Sequence, residues 1–235
     1  PLFAGTISGS VATAQGRPIA GATVTLTDAN GYSESVYTDR AGKFVIRTQI
    51  QGKANLRVRA YGFSDMARDT QPARGGNFQF RLQHYADKLE LSNALPASAH
   101  AASIRWEDPK IRTDFVSQCQ FCHQIGNEWT RRPRNEEQWE FVINKMQGYG
   151  SVITYEDEKV FRRTLAASFQ GQPLDTVITP DVSNELPRAK VREWAFGAGV
   201  NYVHDVELGR DGLLYGVDMS TDRLWILDQK TNKIE

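Results

Sequence analysis

Residues 16–31 read Gly16-Arg17-Pro18-Ile19-Ala20-Gly21-Ala22-Thr23-Val24-Thr25-Leu26-Thr27-Asp28-Ala29-Asn30-Gly31, and the segment closes on Thr38-Asp39-Arg40-Ala41-Gly42-Lys43-Phe44. A short β-prone run is framed by turn residues at either end. The same grammar extends outward. Ile7 and Val11 precede it, Val45 and Ile46 follow, Leu56, Val58 and Ala60 alternate, and Phe78, Phe80 and Leu82 alternate strictly. Gly75-Gly76-Asn77 supplies another turn. Short strands with turns at regular spacing predict a small antiparallel β-sandwich. This part holds no cluster of His, Cys or paired acids.

The whole chain has 235 residues, 40% hydrophobic and 24% charged, an ordinary globular composition that sets disordered and collagenous classes aside. Lys and Arg total 28 and Asp and Glu total 28, so no basic excess points to nucleic acid. No stretch approaches the roughly 18 apolar residues of a membrane span, which predicts a soluble chain. The two cysteines lie three positions apart, which removes a disulfide scaffold. The opening Pro1-Leu2-Phe3-Ala4 shows no targeting peptide, as expected of a mature protein or of one that never had a leader.

On Gly9-Ser10-Val11, Gly16-Arg17-Pro18-Ile19-Ala20-Gly21-Ala22, Val24, Leu26 and Thr38-Asp39-Arg40-Ala41-Gly42-Lys43-Phe44, residues 1–84 resemble the carboxypeptidase regulatory-like domain, of transthyretin-like topology. The resemblance implies an accessory module without catalytic residues. Residues 85–108, rich in Ala and Ser, read as a connector over the surface.

Residues 109–170 switch to helical period. One helix is predicted from Pro109 into the cysteine pair. A second starts at the N-cap Asn135, with Trp139, Val142, Ile143 and Met146 on one face and Gly148 and Gly150 ending it. A third starts at Thr154, with Asp157 as a variant capping box and Val160, Phe161, Thr164, Leu165 and Ser168 on its buried face. Glu156, Asp157 and Glu158 read as an N-terminal charge cluster.

Cys119-Gln120-Phe121-Cys122-His123 is the C-x-x-C-H signature of c-type haem attachment. Two thiols on one helical turn match the two vinyl groups of a haem, and the adjacent imidazole is placed to bind its iron. Rival readings are a thioredoxin-like dithiol, which needs a β-α-β setting, a structural zinc, which needs four ligands, and a chance match. The distal ligand is open. Of the three methionines, Met146 alone lies in the helical part, on the face with Trp139, and its plain alternative is a core side chain. Histidine is the rival, with His100 nearest and His84 and His204 farther away. One of Arg131, Arg132 and Arg134 could pair with a haem propionate, the others forming a solvated basic loop. Acidic and basic residues balance here, so no strongly charged redox partner is indicated.

This region resembles the small single-haem cytochrome c domains, including Trp139-Glu140-Phe141-Val142-Ile143-Asn144-Lys145-Met146 after the haem motif. The resemblance implies Cys119 and Cys122 as thioether donors, His123 as proximal ligand, Met146 as distal ligand, and assembly in the periplasm or outside the cell. Residues 171–193, with Pro173, Pro180 and Pro187, read as a second connector.

Residues 194–235 return to β pattern, with strands at Val203–Leu208, Leu213–Asp218 and Arg223–Asp228. His204, Asp211-Gly212, Asp218, Leu227-Asp228 and Thr231-Asn232 resemble one blade of a streptogramin-lyase-like, NHL-like β-propeller, with Asn232 where that pattern has Gly. A closed propeller needs about four to eight blades, so the chain is expected to be part of a longer polypeptide or completed by a partner.

The expectation is an α+β multidomain protein: an antiparallel β-sandwich, a small all-α cytochrome c domain and a partial propeller blade. Its expected function is electron transfer through one covalent haem to a redox partner protein, rather than catalysis by itself. The alternatives are the haem-accepting part of a propeller oxidoreductase or lyase, and an assembly subunit that self-associates or is completed by another propeller chain.

Overall fold

A computed structural model describes residues 5–174, 182–197 and 201–235. The opening residues 1–4 and Pro180 of the second connector lie outside the described residues. The chain divides into two units, Pro1–Gln83 with Pro180–Glu235, and His84–Thr179.

The first unit begins with seven strands: β1 (Gly5–Thr13), β2 (Thr23–Asp28), β3 (Ser33–Tyr37), β4 (Lys43–Thr48), β5 (Ala54–Arg59), β6 (Met66–Thr70) and β7 (Gly76–Leu82). An eighth, β8 (Lys190–Glu193), follows the helical unit in sequence. They form a three-stranded sheet, β4-β1-β7, and a five-stranded sheet, β6-β5-β2-β3-β8. Burial alternates strictly along β4 and β5, as period two requires of strands with one face on a core. Ile7, Val11, Val24, Leu26, Phe44, Ile46, Leu56, Val58, Phe80 and Leu82 make that core, while Val45 points outward. The pairing is antiparallel except for β1 with β7, which run parallel from Ile7 opposite Gly76 to Thr13 opposite Leu82. At the β3–β4 turn Gly42 has φ +71°, and a Cβ there would sit 2.4 Å from the Val11 carbonyl oxygen. Only glycine fits that approach.

The second connector therefore ends in a strand. β8 pairs antiparallel with β3, Ser33 opposite Glu193. Lys190 Nζ lies 3.0 Å from the Glu34 carboxylate and donates to the Arg47 carbonyl at 3.0 Å. Trp194 follows directly and packs on Tyr32 with ring centroids 5.5 Å apart.

The chain then makes an antiparallel meander: β9 (Val203–Leu208), β10 (Leu214–Asp218), β11 (Arg223–Asp228) and β12 (Lys233–Ile234), in the order β12-β11-β10-β9. Asn232 has φ 59°, a left-handed conformation that Asn tolerates better than most residues. Its Oδ1 accepts the Trp194 indole N–H at 3.0 Å. Asp218 is buried and accepts from the N–H groups of Tyr202 and Ser220, the Ser220 hydroxyl and the Trp225 indole.

Among its described residues the second unit holds five helices: α1 (Lys88–Ala94), α2 (Ala97–Ala102), α3 (Pro109–Cys119), α4 (Glu136–Gly148) and α5 (Tyr155–Ser168). The stretch expected as a surface connector thus carries α1 and α2. Asp87 caps α1 by accepting from the N–H groups of Leu89 and Glu90. Asp108 caps α3, with Pro109 at the first helical position, where its missing N–H costs nothing. Asn135 and Gln138 form a full capping box at α4. At α5 the Thr154 hydroxyl accepts from the Asp157 N–H and donates to its carboxylate. Ile104, Phe115, Trp139, Ile143, Phe161, Leu165, Ala166 and Phe169 form the core of this unit. Among the described residues no helix is long and apolar enough to cross a membrane.

Candidate functional site around the Cys119–His123 motif

Cys119 is the last residue of α3 and packs, half-buried, against the helical core. Val142 of α4 packs there too, beside Trp139 and Ile143. Met146 comes one turn after Ile143 on the same helix and is half-exposed. Cys119 thus packs on the same core as Trp139, Val142 and Ile143 of α4. Cys122 is exposed beyond the helix end. Neither cysteine is in a disulfide. Burial pushes the Cys119 thiol up to about 12, so it stays protonated and is a poor redox nucleophile.

The His123 ring is held by the backbone of the next residue. Its Nδ1 lies 3.2 Å from the Gln124 carbonyl, which makes Nδ1 the protonated nitrogen and leaves the lone pair on Nε2. The Gln118 side chain accepts from the Val152 N–H at 2.8 Å and brings the turn after α4 against the last turn of α3. Apolar side chains stay in solvent here: Phe121 inside the motif is 85% exposed and Val152 is 78% exposed.

The three arginines have separate roles. Arg131 donates to Asn93 Oδ1 at 2.8 Å. Arg132 stacks on Trp129 with its guanidinium 3.8 Å from the ring centroid. Arg134 donates to the carbonyls of Thr130, Arg132 and Trp129 and lies 4.8 Å over the Trp139 ring. Burial, and then the Arg132 charge, lower its pKa.

Two features of the site are compatible with a haem. The donor set combines two free cysteines, an imidazole with its Nε2 lone pair and a thioether on an adjoining helix. The Trp139 indole Nε1 is also buried with no acceptor among the described residues, and a propionate would supply one. Among the described residues no three His, Cys, Asp or Glu side chains converge to hold a bare ion.

The candidate histidines are sorted by their partners. His100 is buried on α2 and its Nε2 is engaged with the Ser92 carbonyl at 2.9 Å. Burial lowers its pKa. His204 lies in β9 of the other unit, beside Asp205. His84 opens the helical unit, ahead of α1. Sequence reasoning missed Gln118, Gly126 and Asn127. The spacing Asn127-Glu128-Trp129-Thr130 is an Asx-turn signal that would have marked the last of these.

Residues 6–83 match the sequence model of the family described as carboxypeptidase regulatory-like domain. No curated protein matches the chain. Among solved structures, chlorocatechol 1,2-dioxygenase from Pseudomonas putida is similar over 34% of this chain and 59% of its own, at 13% identity and TM-score 0.30. For 3-chlorocatechol 1,2-dioxygenase from Rhodococcus opacus 1CP the values are 34%, 60%, 11% and 0.29. For hydroxyquinol 1,2-dioxygenase from Pseudomonas putida DLL-E4 they are 34%, 56%, 12% and 0.28. The chain covers less than two thirds of the length of each of these structures, and likeness at such TM-scores has no bearing on fold or chemistry. Residues 6–83 are a carboxypeptidase regulatory-like domain, folded as a β-sandwich.

Proposed function

We propose that the chain carries one covalently attached c-type haem and passes electrons to or from a redox partner protein, in the periplasm or outside the cell. Cys119 and Cys122 would hold the haem, each adding its S–H across one vinyl group. His123 would supply the proximal nitrogen and Met146 the distal sulfur. When bound, such a group supplies one-electron chemistry between ferrous and ferric iron. The chain's part is to hold and orient it. Gln124 fixes the His123 ring, and the Trp139, Val142 and Ile143 face excludes water.

The observation that carries this reading is the Cys119–Cys122–His123 motif at the end of α3, with Cys119 packed on the same core as Trp139, Val142 and Ile143 of α4. A thioredoxin-like dithiol is disfavoured by the helical setting and by the half-buried Cys119, whose thiol burial pushes up. The test is an absorption spectrum of the purified protein, oxidised and reduced, before and after acid–acetone extraction. Colour that stays with the polypeptide, and is lost in Cys119→Ala with Cys122→Ala, is the expected result. Extractable or absent colour would overturn the reading.

One observation favours the wider reading, in which the meander is one blade of a propeller. Val206 (57% exposed) and Leu208 (65%) lie on one face of the sheet, while Val217 (50%) and Leu224 (56%) lie on the other. A sheet with apolar side chains in solvent on both faces suits a place between two further sheets. Such a chain would be completed by more blades or would self-associate, and the haem would then accept electrons from chemistry on the propeller. Light scattering of the purified chain, with Leu224→Lys as the comparison, tests association through this sheet. A monomer at all concentrations would remove self-association.

A further inference from the structure

We propose that Asn127 is a positioning residue for His123, an inference that rests on His123 being the axial ligand of an attached haem. The Gln124 carbonyl oxygen accepts two N–H groups, His123 Nδ1 at 3.2 Å and Asn127 Nδ2 at 3.2 Å. The Asn127 amide is locked in the orientation this requires. Its Oδ1 accepts from the N–H groups of Trp129 at 3.0 Å and Thr130 at 2.9 Å and from the Thr130 hydroxyl at 3.1 Å, so the NH2 end faces the Gln124 carbonyl.

The loop has no room to slide. Gly126 donates its N–H to Thr130 Oγ1 at 2.8 Å. It has φ +101°, and a Cβ built on it would lie 2.2 Å from the Ala97 carbonyl oxygen and 2.8 Å from the Ala101 nitrogen. Arg131, farther along, is tethered to Asn93 at the end of α1. The α1–α2 segment, outside the region that resembles cytochrome c, therefore braces the loop that carries the acceptor of the proximal histidine.

The direction of the effect follows from sharing one acceptor. A carbonyl oxygen that accepts two N–H groups bonds each less strongly than it would bond one alone. Removing the Asn127 donor strengthens the bond to His123, makes the imidazole more electron-rich and favours ferric over ferrous iron. Asn127 thus holds the reduction potential above the value that a lone His123–Gln124 bond would give.

The test uses the full haem-loaded chain, with the potential read by spectroelectrochemical titration. Asn127→Ser keeps an oxygen for the turn but has no amide donor, and Asn127→Asp adds a negative charge to the same loss. Both are expected to lower the potential, Asp more than Ser, at unchanged haem content. An unchanged or raised potential in Asn127→Ser would overturn the proposal and leave the haem reading standing. Wild-type protein without covalent haem would overturn both. A third readout needs no variant: nitrogen NMR of His123 should show a proton on Nδ1, and an unprotonated Nδ1 would also overturn the proposal.

Discussion

Glu34 on β3 and Lys190 on β8 form an ion pair at 3.0 Å, and the Glu34 side chain is almost wholly buried. The Tyr32 hydroxyl donates to the other carboxylate oxygen at 2.9 Å. Lys190→Ala would leave a buried carboxylate without its cation. The expected loss is about 2–3 kcal/mol, at the low end for buried pairs because the lysine is partly solvated. Denaturant unfolding measures it. Pairing Lys190→Met with Glu34→Gln should restore most of the loss, and a single-variant cost below about 0.5 kcal/mol would show that the pair is not what docks β8.

The same cluster sets an alkaline limit. Burial, then the hydrogen bond to Glu34 and its charge, raise the Tyr32 hydroxyl from 10.0 to about 12. The folded state therefore holds the phenolic proton more tightly than the unfolded chain. Its contribution is complete below pH 10 and is lost as the pH rises toward 12. Discounted for solvent screening, the expected loss is about 1–2 kcal/mol. Unfolding followed across that window should show the decline, and Tyr32→Phe should flatten it.

Asp218 makes the opposite prediction at acid pH. Burial opposes its charge, but the hydrogen bonds from Ser220, Tyr202 and Trp225 outweigh that and hold the carboxyl well below the usual range. Its contribution is present above that usual range and is lost as the pH falls through the depressed value. Trp225 fluorescence should report the meander loosening in acid. Asp218→Asn should reproduce the change at neutral pH, because an amide presents one acceptor oxygen where the carboxylate uses two.

Gly126→Ala should destabilise the helical unit by about 3 kcal/mol, since it combines a positive φ with a backbone overlap on α2. Gly148→Ala is the contrast, because nothing lies within 4 Å of a Cβ there. It should be neutral or slightly stabilising. Equal costs at the two sites, measured by thermal unfolding, would refute the close approach of α2 to the loop.

Met146→Ala and His100→Ala separate the methionine from the nearest histidine as distal ligand. In oxidised holoprotein the far-red sulfur-to-iron band should vanish in the first and persist in the second, because His100 already bonds Ser92. His100→Ala should still cost stability, as it empties a buried site in α2.

The parts of the fold that were legible in the sequence are those governed by local rules. Asn135 with its capping box, Pro109 behind Asp108, and Thr154 with Asp157 each mark a helix start through hydrogen bonds within four residues. The alternation of Phe78, Phe80 and Leu82 is likewise local. What was hidden depends on distant partners. All four residues of β8 are exposed, so no alternation marks it, and it exists because β3 offers an edge. The parallel pairing of β1 with β7 leaves no trace in either strand. α1 and α2 are short and rich in small residues, a composition shared with linkers, although Asp87 marks a cap. At the candidate site the motif itself was plain. The bracing of its loop was not, because the close approach of Gly126 to Ala97 is a tertiary contact.

The place of β8 in the sheet has a consequence for biosynthesis. The strand that completes the N-terminal sandwich leaves the ribosome only after all of the helical segment, so the five-stranded sheet cannot close while that segment is being made. Until then β3 presents an unpaired edge to every other strand in its surroundings. Closing the intervening loop costs entropy that grows with its effective length, and a folded helical unit shortens that length. A nascent chain that fails to compact between Gln83 and Lys190 should therefore leave its first domain unfinished, and intermolecular strand exchange at β3 is the expected fate of such chains.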